Sequence, residues 1–509
     1  MSEKNPFLQN NSKLFLFAIL IFGVLLRLPN LNESAWYDEV VYSTHIVLKD
    51  PAHLIAIVLF DKSAPFYRIF MFFWIKVFGD AELSIRIPSL TCGILSILLI
   101  YVLTLKFTEK KTALLTSFLL CLSPVHIWYS QEATPYSLLL FLFLTSIYSY
   151  YKLKESTAKT FWYGVYFLSF FLAVFTHYGA SVYLVLISIM CLSKIDKIKL
   201  KVLILNLVIL GCFISFELFK NSFGAVYTKA DYLRPFTFFE LWMLFLNWFT
   251  FGNSLWAINP YRMRLSAILQ RPAMFCAQII FLIIFIQGLI LSLKKSKNSY
   301  GMETILYLFS LPAAMLGLSF VGFRHVYIER FLFIALPFFC MILAKGATGF
   351  KTKSIKVSAV ATVIVFYIAA LAAFLIKSDK WTVYKQNPDW RSAAKYFSGE
   401  IKNSREPLVI FAASSATELV YYDGRFKEHF QDQKMTSFKA QIYYCKKPDS
   451  AYLYRILSEN GIKTFYLIKN KYWVNNFDEM LKNIRGDSKF SFVGKVSFKG
   501  LEIFKFLHP

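Results

Sequence analysis

The chain has 509 residues, 57% of them hydrophobic and 18% aromatic, with a mean hydropathy of +0.49 and a formal net charge of +25. This is more apolar than a soluble core requires, so the composition excludes an ordinary soluble globular protein and predicts a polytopic α-helical membrane protein. The positive charge does not point to nucleic acid, because the Lys residues fall in short clusters between apolar runs, as they do in the cytoplasmic loops of membrane proteins. Six of the seven Cys (Cys92, Cys121, Cys191, Cys212, Cys276 and Cys340) lie in apolar segments, and only Cys445 lies in a polar one. Neither a disulfide framework nor a CxxC metal site is indicated.

The first apolar run, from Leu14, ends in Arg27-Leu28-Pro29-Asn30 without a small-residue cleavage pattern, and it reads as a retained helix. A span needs about 20 mostly apolar residues, fewer where flanking groups snorkel. By that measure about eleven transmembrane helices are expected: 14–28, 84–105, 112–128, 136–151, 161–176, 178–193, 202–219, 273–293, 302–320, 330–345 and 357–376. Alternate connections are basic, carrying Lys106/Lys110/Lys111, Lys152/Lys154/Lys159, Lys194/Lys197/Lys199/Lys201, Lys294/Lys295/Lys297 and Lys345/Lys351/Lys353/Lys356. The positive-inside rule places these loops, with Lys4 and Lys13, in the cytoplasm. An odd number of spans then puts the N-terminus inside and the C-terminal part outside a plasma (inner) membrane.

Two long connections fall on the external side. The first, 29–83, contains the apolar runs Leu54 to Phe60 and Phe66 to Phe78, the second interrupted by Arg68 and Lys76. These runs are too short to span, and their charges suit interfacial helices. The second, 220–272, holds the aromatic run Phe236 to Phe251 and reads as interfacial or re-entrant. From about Lys377 charges become frequent and apolar runs shorten to strand length. A helix Asp389 to Phe397 with Asp389 as N-cap, strands at Pro407 to Ala412, Lys463 to Lys469 and Phe490 to Phe498, and a helix Asn475 to Ile484 make an extracytoplasmic α/β domain. The chain therefore divides at 376/377 into a membrane domain and a domain that binds or supports.

The unusual polar residues converge on the external face. They are Trp36-Tyr37-Asp38-Glu39, Asp61-Lys62 before Ser63-Ala64-Pro65, Arg86, the stretch Ser123 to Glu132, His177-Tyr178, and Arg324, His325, Glu329 and Arg330. Arg324 and Arg330 read equally well as snorkelling ends of their spans, and His177 as a satisfied interfacial histidine. Glu132 is harder to place as inert, since Pro124 and Pro135 flank it and an interrupted helix beside an acid is how membrane proteins build polar sites. Carboxylates beside cations suit transfer of a sugar from a lipid-linked phosphate to a hydroxyl. The departing phosphate is a weak base and wants positive charge, while the acceptor hydroxyl wants a carboxylate to take its proton. On this reading Asp38 is the base, Glu39 supports it, Glu132 is a further acid, and Lys62, Arg86, Arg324 and Arg330 are the cations available to the donor phosphate. A glycoside hydrolase would instead need a second, protonated carboxyl for its alkoxide leaving group.

Trp36-Tyr37-Asp38-Glu39, Asp61-Lys62-Ser63-Ala64-Pro65-Phe66-Tyr67, Arg86-Ile87-Pro88-Ser89, Ser130-Gln131-Glu132-Ala133-Thr134-Pro135-Tyr136 and Tyr327-Ile328-Glu329-Arg330-Phe331 together resemble the family 39 glycosyltransferases. That family holds protein O-mannosyltransferases and lipid A aminoarabinose transferases and has the GT-C fold. The resemblance runs in order through most of residues 1–376. It implies a polyprenyl-phosphate sugar donor, a protein, lipid or cell-surface glycan acceptor, inversion, and an active site on the extracytoplasmic face among membrane lipids. It also implies Asp38 as the catalytic carboxylate with Glu39 completing the pair, Lys62 as a donor-phosphate ligand, and Asp61 at the place of a metal-binding acid. A divalent metal ion, with Asp61 and His177 as ligands, is the cofactor it raises. The chain departs from many bacterial relatives in having Ser63-Ala64-Pro65 for His-Pro-Pro and Thr134 for Arg. Asn387-Pro388-Asp389-Trp390-Arg391 also resembles bacterial members, whose external domains vary. A transporter or flippase of a lipid-linked glycan would want mid-membrane charges and inverted repeats, neither of which the sequence displays. A non-catalytic scaffold would tolerate replacement of Asp38.

Overall fold

The computed structural model describes residues 11–44, 48–61, 64–193, 195–222, 246–256, 271–294, 300–320, 329–376, 387–404, 407–412, 416–429, 440–444, 450–471 and 477–508. Two compact units emerge: residues 1–31, 52–70 and 86–384 form one, and residues 32–51, 71–85 and 385–509 the other. The helices of the N-terminal three quarters are α1 (Ser12–Arg27), α2 (Tyr37–Ser43), α3 (Pro51–Phe60), α4 (Phe66–Phe78), α5 (Glu82–Phe107), α6 (Lys110–Leu122), α7 (Pro124–Gln131), α8 (Pro135–Glu155), α9 (Lys159–Thr176), α10 (Ala180–Leu192), α11 (Lys197–Ser222), α12 (Pro272–Leu293), α13 (Gly301–Phe320), α14 (Leu336–Thr348) and α15 (Lys353–Ile376). A 3-10 turn, Glu329–Ala335, leads into α14.

Every one of the eleven segments expected to span is helical, and both expected interfacial runs are helices α3 and α4. By length and apolarity, seven stretches among the described residues can cross a membrane: α5, α9, α11, α12, α13, Arg330–Thr348 and α15. An eighth is α6 with α7, which bend by 57° where Pro124 lacks the amide needed to continue the helix. The remaining three, α1, α8 and α10, are helices of 16, 21 and 13 residues that do not meet both criteria, so the count of eleven is not reached by these measures. The run Phe236 to Phe251 lies largely outside the described residues.

Within the first unit α14 is the central helix, buried nearly all round and packed on α6 and α12. Its approach to α12 depends on two glycines. A Cβ on Gly288 would meet the Ile342 carbonyl oxygen at 2.0 Å, and one on Gly346 would meet that of Ile284 at 1.9 Å. Helix α11 is the opposite case, with Ile204, Leu207, Val208, Ile214 and Leu218 all exposed, as a lipid-facing surface requires.

The second unit contains a six-stranded sheet built from β1 (Leu408–Ala412), β2 (Phe426–His429), β3 (Ala440–Tyr444), β4 (Thr464–Asn470), β5 (Ser491–Phe498) and β6 (Leu501–Leu507), in the order β2-β3-β1-β4-β6-β5. The first four strands are parallel, and β6 and β5 continue the sheet antiparallel. Side chains alternate across the sheet, so β1 sends Leu408, Ile410 and Ala412 to one face and Val409 and Phe411 to the other. The first face packs on helices α16 (Trp390–Asn403) and α17 (Thr417–Tyr422). The second packs on α18 (Ser450–Glu459) and α19 (Phe477–Gly486). Asp389 caps α16 as expected, accepting the Ser392 amide at 3.0 Å. The strands expected near 407, 463 and 490 and both expected helices are present. Strands β2, β3 and β6 and helices α17 and α18 are additions that the sequence pattern did not disclose. Strand β6 follows β5 through Lys499-Gly500, a two-residue turn made possible by Gly500 at φ 73°.

Candidate active site

The acidic motif lies in the second unit. Trp36 is extended, with φ −111° and ψ 171°, and the chain then turns into α2. Glu39, at the third helical position, accepts the Trp36 amide on Oε2 at 3.3 Å and is fully buried. Asp38 beside it is only half-buried. The two adjacent carboxylates therefore have different work: Glu39 closes the first turn of α2, and Asp38 keeps access to solvent.

The other site residues lie in the first unit and fall into two groups. In the first group, Gln131 donates from Nε2 to the Arg27 carbonyl at 3.1 Å and also to that of Pro29, and Arg86 donates from Nη1 to the Asn30 and Leu31 carbonyls at 3.3 and 2.9 Å. Asn30 turns the chain here with φ 70°, a conformation that Asn tolerates better than most residues. Arg86 is buried, and through these bonds it holds the stretch of chain that leads to the acidic motif. Glu132, also buried, follows α7 in the extended break before Pro135.

The second group is a continuous polar cluster. Asp61, after α3, takes a hydrogen bond on Oδ2 from Arg68 at 2.6 Å. Lys220, near the end of α11, lies within electrostatic range of both. Its Nζ donates to the Tyr178 hydroxyl at 3.1 Å and sits 3.6 Å from Glu217, to which Tyr178 also donates at 2.5 Å. Tyr178 is next in sequence to His177, whose ring meets Phe331 edge-on at 4.7 Å and whose Nδ1 accepts the Gly179 amide at 3.1 Å. Burial lowers the His177 pKa to about 4, with the Arg330 cation adding to the effect, so the imidazole is neutral at pH 7 and carries its proton on Nε2.

Of the residues anticipated from sequence, Asp61 lies within electrostatic range of Lys220, which bonds Tyr178, and the neighbouring His177 lies within electrostatic range of Arg330. Lys62, Arg324 and the side chain of Glu329 lie outside the described residues. Arg68, Glu217 and Lys220 complete the cluster and were not anticipated. The i,i+3 pair Glu217/Lys220, separated from the basic N-terminal turns of α11 by the uncharged run 202–216, was the available signal. Among the described residues no group of three His, Cys, Asp or Glu side chains converges as metal ligands. Asp61 is engaged by Arg68 and the Nδ1 of His177 by a backbone amide, so these residues do not fit the metal site the resemblance raised.

A family model described as dolichyl-phosphate-mannose-protein mannosyltransferase matches residues 62–219. No curated protein matches the chain in sequence. Among solved structures, the oligosaccharyltransferase of Archaeoglobus fulgidus aligns with a TM-score of 0.50 at 11% identity, over 90% of this chain and 69% of that one, in its apo form. The same enzyme tethered to an acceptor peptide aligns equally well, with a TM-score of 0.50 and 11% identity over 92% and 70% of the two chains. ArnT from Cupriavidus metallidurans aligns over 98% of both chains at 11% identity, with a TM-score of 0.44. The fold is that of the GT-C glycosyltransferases, and the family-model match agrees with the resemblance seen in the motifs.

Proposed function

We propose that this chain is a multi-pass membrane glycosyltransferase that moves a sugar from a polyprenyl-phosphate donor to an acceptor hydroxyl with inversion. The observation that carries this reading is the family-model match over residues 62–219, on a chain whose fold is that of an oligosaccharyltransferase. The reaction asks for few groups. The acceptor oxygen attacks the anomeric carbon, the bond from that carbon to the phosphate oxygen breaks, and polyprenyl phosphate departs. Because the leaving group is a weak base, cations suffice to stabilise it and no acid need protonate it. We assign the proton of the acceptor hydroxyl to Asp38, the half-buried member of its pair, with Glu132 as the alternative. Lys62, Arg324 and Arg330 are assigned to the donor phosphate.

The family description favours a hexose, mannose, over a pentose as donor sugar, and a protein over a lipid or glycan as acceptor. The alternation of Lys clusters favours an extracytoplasmic site in the plasma membrane, with the N-terminus inside. The test is transfer of radiolabelled sugar from polyprenyl-phosphate donors by the full chain in nanodiscs, wild type beside Asp38→Asn. Loss of turnover with donor binding retained is expected, since the substitution keeps the shape and removes the base. Full activity in the variant would move the base to Glu132, and donor binding without transfer from any donor would favour a flippase.

A further inference from the structure

The second unit draws into one fold two pieces of chain far apart in sequence: the α/β segment 385–509 and the segment 32–51 that carries Asp38. What joins them is a compact polar network. The Tyr422 hydroxyl accepts the Ala35 amide at 2.8 Å, bonds the Ser34 hydroxyl at 2.9 Å and donates to Glu82 Oε1 at 2.8 Å, so its one proton and both lone pairs are used. Arg391 reaches the same Glu82 oxygen through Nε and Nη2 at 3.0 and 2.6 Å and donates from Nη2 to the Asn32 carbonyl at 3.0 Å. Its amide bonds the Ser34 hydroxyl at 3.3 Å, and Asn387 donates to the Ser34 carbonyl at 2.9 Å. Asn32, Ser34 and Ala35 are thereby held at several points, only three residues before Asp38. Helix α17, which carries Tyr422, packs on α2 itself.

We propose that Tyr422 and Arg391 are positioning residues for Asp38, and that the α/β unit sets the geometry of the catalytic carboxylate in addition to any role in reading acceptors. The inference rests on the assignment of Asp38 as the base. A helix of seven residues does not hold itself in water, so the orientation of α2 depends on what its N-terminal approach is tied to. The residue preceding the helix, Trp36, is bound through Glu39, and the two before that are bound through Tyr422. Loss of the Tyr422 hydroxyl strips the Ala35 amide and one Glu82 contact at once and loosens α2 without removing an apolar contact from the core.

The test compares Tyr422→Phe with Tyr466→Phe, which removes a hydroxyl bonded to Glu400 elsewhere in the same unit, and with Asp38→Asn. Two readouts are taken on the full chain in nanodiscs: amide hydrogen exchange of peptides covering 36–43, and steady-state transfer of radiolabelled mannose from a polyprenyl-phosphate donor. Tyr422→Phe is expected to speed exchange across 36–43 and to lower kcat by about ten- to a hundredfold, as misplacement of a reacting group does, with the donor KM unchanged. Tyr466→Phe is expected to leave both readouts at wild-type values, and Arg391→Lys to restore less than Arg391→Ala loses, because a single ammonium cannot reproduce the forked contact. Unchanged exchange in Tyr422→Phe, or faster exchange with wild-type kcat, would overturn the proposal. Wild-type turnover in Asp38→Asn would instead overturn the assignment of the base, whatever the exchange data show.

Discussion

The contact between α12 and α14 makes a demanding prediction about how the first unit is held. An alanine at 346 would place its Cβ 1.9 Å from the Ile284 carbonyl oxygen and 2.9 Å from the Gly288 amide nitrogen, and an alanine at 288 would meet the Ile342 carbonyl oxygen at 2.0 Å. Ordinary contact begins near 3.4 Å, and the obstructing atoms are backbone, so rotamer changes give no relief and the helices must part by about 1.5 Å. Forcing a methyl into a packed interior costs about 1–3 kcal/mol. Each single substitution should therefore lower stability by that amount in thermal unfolding of the full chain in detergent. The two sites share one interface, so the double variant should lose clearly less than the sum, since the first substitution has already opened the gap. Gly164→Ala on α9, where an added Cβ meets nothing within 4 Å, is the control and should cost little. Because α14 continues directly from the turn bearing Arg330, transfer activity should fall with stability. Wild-type melting of Gly346→Ala, or strict additivity in the double variant, would refute this account.

Arg86→Gln deprives the Asn30 and Leu31 carbonyls of a charged donor, and such bonds contribute about 1.5–3 kcal/mol, so a lowered melting temperature with unchanged donor KM is expected. A raised donor KM at unchanged stability would return Arg86 to the phosphate. Lys220→Met removes a buried cation from beside the half-buried Glu217, which should lower the melting temperature, and adding Glu217→Gln should recover part of the loss. The single variant melting like wild type would remove the polar cluster from the structural account. In the second unit, burial opposes ionisation of Asp423, but hydrogen bonds from Arg425 and Ser398 outweigh it and hold the carboxyl below its ordinary 3.8. Glu400 and Glu502 are likewise held below 4.5, against burial, by Lys505 with Tyr466 and by Lys495 respectively. Folded values below unfolded ones mean stabilisation that is complete above about pH 4.5 and is lost as pH falls through the lowered values. Fluorescence-monitored unfolding of the full chain between pH 7 and 3 should show this decline, and a flat profile over that range would refute it.

Much of this molecule was legible from local signals. A run of about 20 apolar residues must be helical wherever bilayer surrounds it, because no water is there to satisfy the backbone, and all eleven expected segments are helices. The Asp389 cap and the alternation of β1 were equally local, since each depends on neighbours within a few residues. Strand β2, with the charged Lys427 and Glu428, gave no such alternation, and its place at the sheet edge comes from pairing with β3. The motifs around Asp38, Asp61, Arg86, Glu132 and Arg330 were found in sequence, but not the division of labour among them.

That division is a property of tertiary structure. Arg68 reads as one charge of an amphipathic interfacial helix, yet it is buried against Asp61 seven residues earlier. Arg86 reads as a cation for phosphate, and it also donates to carbonyls 55 and 56 residues away. Glu39 reads as half of a catalytic pair, and it also closes the first turn of the helix it begins. Arg391 finds Glu82 across 309 residues of chain, which no periodicity can report. Hydropathy is additive along a sequence and survives any rearrangement of the fold. The partner of a charge is chosen only when distant segments meet and its desolvation must be offset by whatever acceptors are at hand.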